Sequence, residues 1–114
     1  MIQRIASGAR MSEAVVHNGT VYLAGQVAGN LDEGVEGQTK QVLDSIDRLL
    51  AEAGSDKAKI LRAEIFLADI ATFAEMNAAW DAWVPAGATP ARATVQAALY
   101  RPEALVEIVV TAAV

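Results

Sequence analysis

The last ten residues, LVEIVVTAAV from Leu105 to Val114, constrain this chain more than any other stretch. Apart from Glu107 and Thr111 every side chain in it is apolar, the pattern of a strand that meets water on neither face. Something must therefore cover both sides of the sheet that holds it. The chain offers two amphipathic helices for that purpose. From Glu36 to Ala53 the positions Val42, Leu43, Ile46, Leu49, Leu50 and Ala53 keep helical spacing, with Asp44, Asp47, Arg48 and Glu52 on the other side and Gly54 as the stop. A second helix, capped by Asp69 or Thr72, carries Phe73, Met76, Asn77, Trp80, Trp83 and Val84 in one stripe. Such a stripe is far more often core than a cofactor box, and Asn77 is the polar amide in it that needs hydrogen-bond partners if buried. Two helices cover one face of a sheet. The other face then calls for a partner, most simply another copy of the chain.

The remaining strands are legible from period-two alternation and turn residues. Two short β-prone runs in SEAVVHNGTVYLAGQ are joined by Asn18-Gly19, a strong two-residue hairpin signal. Asn18-Gly19-Thr20 is also a glycosylation sequon, but the turn reading prevails because no signal peptide precedes it. Ala58 to Ala68 reads as a long central strand with Leu61, Ala63, Ile65 and Leu67 on one face and Arg62 and Glu64 on the other. The breakers of Pro85 to Pro90 form a loop, the stretch TPARATVQAAL holds the next strand, and Tyr100-Arg101-Pro102-Glu103 turns into the last. Strands, helix, strand, helix and two strands make an α+β chain of one domain, residues 1–114, with no internal repeat.

Composition narrows the function. A net charge of −5 and a pI near 4.7 leave no basic footprint for nucleic acid or for an anionic membrane surface. There is no cysteine, and His17 is the only histidine, so thiolate metal sites and a Cys nucleophile are excluded and no metal is expected. No Walker A run, dinucleotide glycine fingerprint or nucleophile elbow is present. The N-terminus has no apolar leader core and no apolar run reaches the ~20 residues of a membrane span, which reads as a soluble, cytoplasmic protein.

Three positions carry candidate chemistry. Arg92 shares a strand face with Thr94 and Gln96, and a half-buried guanidinium must be paired or must hold an anion. From the strand alone a structural ion pair is the plainer reading. Glu107 is an acid in the most apolar run, placed either for general acid/base use or for pairing with Arg92. With a turn centred near Arg101 and Pro102, Glu107 faces about Ala97 on the neighbouring strand, so direct pairing is not assured, although both groups could point into one pocket. Gly25, before Gln26, would let a ligand approach the backbone closely.

The hairpin ending in AGQ, the helix ending in EAG, the strand AEIFLAD, the helix FAEMNAAWDAW, then TPARATVQ and VEIVVTAAV together resemble the RidA family, also called YjgF, over nearly the whole chain. The PAR, followed fifteen residues after its arginine by the glutamate of VEI, is the most specific combination, and FLAD, MNAAWDAWV and RATVQA are similar to the YoaB-like branch. The resemblance implies a fold like trimeric bacterial chorismate mutase: a six-stranded, mainly antiparallel sheet with two helices on one face, three subunits, and clefts between them. It implies hydrolytic deamination of 2-imino or enamine acids to 2-oxo acids and ammonia without a cofactor. Arg92 would hold the carboxylate, the Gly25 N–H would assist, and Glu107 would position water. Asn77 matches a motif asparagine, while Met11, Ala24 and Thr94 stand where the best-known members carry tyrosine, serine and cysteine. Those three changes bear on the substrate side chain. The alternative is a non-catalytic module that binds a small carboxylate in the same intersubunit cleft. Ribonuclease activity ranks below both for an acidic chain with a single histidine.

Overall fold

A computed structural model describes residues 1–114. The strands are β1 (Gln3–Ile5), β2 (Ala14–His17), β3 (Thr20–Leu23), β4 (Ile60–Leu67), β5 (Ala91–Gln96) and β6 (Val106–Ala113); the helices are α1 (Val35–Glu52) and α2 (Phe73–Trp83). They form one six-stranded sheet of order β1-β2-β3-β6-β4-β5, antiparallel throughout except for the parallel pair β4–β5. The α+β expectation and the mainly antiparallel sheet hold. The molecule's shortest extent is 20 Å, the depth of one sheet and one layer of helices.

Local chemistry sets the corners. Asn18 and Gly19 adopt φ of 51° and 77°, the two left-handed residues of a type I′ turn, and bring His17 opposite Thr20. α1 stops at Gly54, whose φ of +82° lets the Ser55 N–H reach the Leu50 carbonyl at 2.8 Å and the Gly54 N–H reach Ala51 at 3.1 Å. Asp69 caps a short 3₁₀ turn (Ile70–Thr72) by accepting from the Ala71 N–H at 2.9 Å; Thr72 makes no side-chain cap to α2.

The core lies between the sheet and the helices. Val42, Leu43, Ile46, Leu49 and Leu50 of α1, with Met76 and Trp80 of α2, bury against Ala63, Ile65 and Leu67 of β4 and Val106, Ile108, Val110 and Ala112 of β6. Buried Gln38 of α1 ties the crossing loop down: its Nε2 donates to the Glu103 carbonyl at 2.9 Å and its Oε1 accepts from the Leu105 N–H at 3.0 Å.

Two expectations need correcting. Leu61 does not join Ala63, Ile65 and Leu67, because a bulge between Ile60 and Arg62 shifts the register; Ile60 takes the buried place and Leu61 is 53% exposed. More consequentially, β5 and β6 are not neighbours. Residues 97–105 carry the chain past β4, so that β6 enters between β3 and β4. A strand apolar on both faces gains most at the middle of a sheet, and that preference overrides a simple hairpin with β5.

Candidate functional site

Register assigns each candidate side chain to a face of the sheet. Arg92 pairs with Ala63 and Thr94 with Ile65, both wholly buried beneath the helices, so Arg92, Thr94 and Gln96 face α2. Gln96 accepts from the Ile70 N–H at 2.9 Å, which ties β5 to the 3₁₀ turn that leads into α2. Glu107 pairs with Phe66 and alternates with buried Val106 and Ile108, so it projects from the open face. Within one chain Arg92 and Glu107 therefore share neither a strand pair nor a face. The expectation of one common pocket fails for the single chain because β4 lies between their strands and the register gives them opposite sides.

Two groups result. In the first, Arg92 is half-buried on edge strand β5, and one of the five N–H donors of its guanidinium reaches Asn77 Oδ1 at 2.8 Å. Its guanidinium carbon lies 5.6 Å from the centroid of the Phe73 ring and 5.2 Å from that of Trp80. No carboxylate pairs with it; the ion pairs of the chain are Lys40–Glu36 and Arg62–Glu64. The hydroxyl of Thr94 is buried without a hydrogen-bond partner. Asn77 thus finds the partner its place in the α2 stripe demands.

In the second group, Gly25 lies directly under the Glu107 side chain: a Cβ at position 25 would overlap Glu107 Oε2 and sit 2.9 Å from Cδ. Gly25 is not in the left-handed region, so close approach rather than backbone conformation requires the glycine. Its N–H has no backbone partner. The next residue sets this geometry. Gln26 exchanges both backbone hydrogen bonds with Ile108, at 2.9 and 3.1 Å, which holds Gly25 beside Glu107. Buried Gln26 also donates from Nε2 to Glu13 Oε2 at 3.2 Å and to the Ala24 carbonyl at 3.0 Å. The Ala24 N–H in turn donates to the Glu13 carbonyl at 2.8 Å. Met11 is exposed in the segment before β2, its carbonyl accepting from the Gly8 N–H.

Sequence reasoning missed Glu13 and Gln26, and it treated Phe73 and Trp80 only as core. The AGQ motif was a signal for Gln26, since a glutamine at the end of a buried hairpin needs partners. Nothing in the local sequence marks Glu13.

The Endoribonuclease L-PSP family matches residues 1–114. The chain belongs to this family, also known as YjgF or Rid. The YoaB protein of Escherichia coli K12, named as a RutC family protein, is 52% identical over 99% of this chain and 98% of its own length. A crystal structure of a YjgF family member from Neisseria meningitidis superposes with a TM-score of 0.97 at 53% identity, over 99% of this chain and 94% of that one. A more distant Rid relative, the chloroplastic Reactive Intermediate Deaminase A of Arabidopsis thaliana, is 34% identical over 85% of this chain and 54% of its own length. The Rid family thus includes a protein named for deamination, while the YoaB relative carries only a family name.

Proposed function

We propose that the protein hydrolyses reactive 2-imino or enamine acids to 2-oxo acids and ammonia. The observation that carries this reading is Arg92: half-buried, fixed by a neutral amide and two rings, and without a compensating carboxylate. A planar guanidinium left in that state is a receptor for a carboxylate, which it can bind through two parallel hydrogen bonds. The Gly25 N–H and the Glu107 carboxylate serve the reacting end of the molecule. Water adds to the imine carbon, Glu107 takes its proton and returns one to nitrogen, and the C–N bond breaks to release ammonia and the 2-oxo acid. An imine is already electrophilic when protonated, so this step draws on no cofactor.

Because the two groups sit on opposite faces of one chain, the site is completed by a second copy that brings its Gly25–Glu107 group to the Arg92 group of the first. Tyr22, Phe66, Val95 and Val109 leave the open sheet face apolar enough to bury in a homotrimer. No helix of the chain is long and apolar enough to cross a membrane. The test generates 2-iminobutanoate in situ with an amino-acid oxidase and follows its trapping by semicarbazide. Wild-type protein should speed the loss of imine and Arg92→Ala should not. Equal rates with and without protein, or full activity in Arg92→Ala, overturn the proposal.

A further inference from the structure

The hydrogen-bond partner and the two aromatic rings of the Arg92 guanidinium all come from α2. Phe73, Asn77 and Trp80 recur at i, i+4 and i+7, so one helix stripe places them together over β5. The helix sets this stripe to two uses. Met76 and Trp80 are buried in the core, whereas Phe73 is 40% exposed and lies outside the core cluster. Burial against the core does not account for Phe73, whose notable neighbour is the Arg92 guanidinium.

The three contacts have one physical property in common: they restrain a cation without neutralising it. A ring within about 6 Å attracts a guanidinium through its quadrupole, and the Asn77 carbonyl oxygen accepts one N–H while carrying no net charge. An aspartate at 77 could hold the same nitrogen, but it would cancel the charge that a ligand carboxylate needs. Resting on the reading of Arg92 as the anion anchor, we propose that Phe73 and Trp80 are positioning residues. Together with the neutral amide of Asn77 they form a charge-free cradle that presets Arg92 and makes the site selective for small 2-oxo or 2-imino carboxylates over their uncharged analogues.

The experiment uses the whole protein and two readouts. The first is the ¹H–¹⁵N signal of Arg92 Nε in the ligand-free state, whose shift and order parameter report ring contact and rigidity directly. The second is the Kd of 2-oxobutanoate by calorimetry. In Phe73→Leu the Nε signal should move and lose order, and Kd should rise about threefold to fivefold, while Phe73→Tyr should restore both. Asn77→Asp, nearly identical in shape, should weaken 2-oxobutanoate at least ~10-fold without lowering the melting temperature. A Phe73→Leu variant with the wild-type Nε signal and affinity, or an Asn77→Asp variant that binds as wild type does, overturns the cradle. Absence of 2-oxobutanoate binding by the wild type would instead overturn the anchor reading of Arg92; the Nε signal in Phe73→Leu then still decides whether the ring fixes the guanidinium.

Discussion

Replacing Gly25 by alanine should separate function from stability in this chain. The Cβ that alanine adds would overlap Glu107 Oε2 and lie 2.9 Å from Cδ and 3.2 Å from Cγ, where ordinary contact begins at 3.4 Å. The carboxyl carbon must retreat by about 0.5 Å, the difference between 2.9 and 3.4 Å, and the oxygen by more. Because the obstructing atoms end a flexible side chain, the fold can yield. Moving Glu107 off its rotamer costs about 0.5–1.5 kcal/mol, while alanine at a position with no left-handed φ regains about 0.4–1 kcal/mol by restricting the unfolded chain. The two nearly cancel, so the melting temperature should stay within about 5 °C of wild type. Catalysis has no such compensation. A reacting group misplaced by about an ångström loses up to ~100-fold, so kcat/KM for imine hydrolysis should fall between about tenfold and a hundredfold. Glu107→Asp, whose carboxylate is one methylene shorter, should cost less in the Gly25→Ala background than alone, the coupling expected of residues in contact. Wild-type kcat/KM in Gly25→Ala, or additive effects in the double variant, would refute the claim that Gly25 exists to admit the Glu107 carboxylate.

Two further outcomes test the scaffold. Thr94→Val removes a buried hydroxyl that has no partner and keeps the side chain's shape, so differential scanning calorimetry should show a melting temperature no lower than wild type, since an unsatisfied buried donor costs about 1–3 kcal/mol; a clear fall would mean that the hydroxyl has a partner. Gly54→Ala forces a Cβ into a residue at φ +82°, so urea unfolding should show a stability loss of about 1–2 kcal/mol with an unchanged m-value, and no loss would refute the role of Gly54 in ending α1.

All the elements but β1 were legible because each is written in local periodicity and local turn chemistry, whereas the three residues of β1 are too few to show a period. The α1 pattern placed the helix within a residue or so of Val35–Glu52, and Asn18-Gly19 announced its turn, because left-handed φ at two successive positions is a demand few other dipeptides meet. Leu61 escaped because a bulge changes which side chain faces inward without changing the sequence pattern around it. The site was half legible. Alternation put Arg92, Thr94 and Gln96 on one face correctly, and the need of Asn77 for a partner was plain.

What the sequence by itself determined was therefore most of the inventory: five of the six strands, two helices, a final strand that must be interior, and an arginine and a glutamate in unusual surroundings. Only the tertiary structure decided where β6 goes. Its insertion between β3 and β4 is a non-local choice, made by burial on both faces, that no window along the chain contains. That one choice moves Glu107 away from β5, sets it over Gly25, and puts it across the sheet from Arg92. Which side of a sheet a residue faces follows from period two, but which residue it meets follows from strand order, and strand order is settled by the energetics of the whole core.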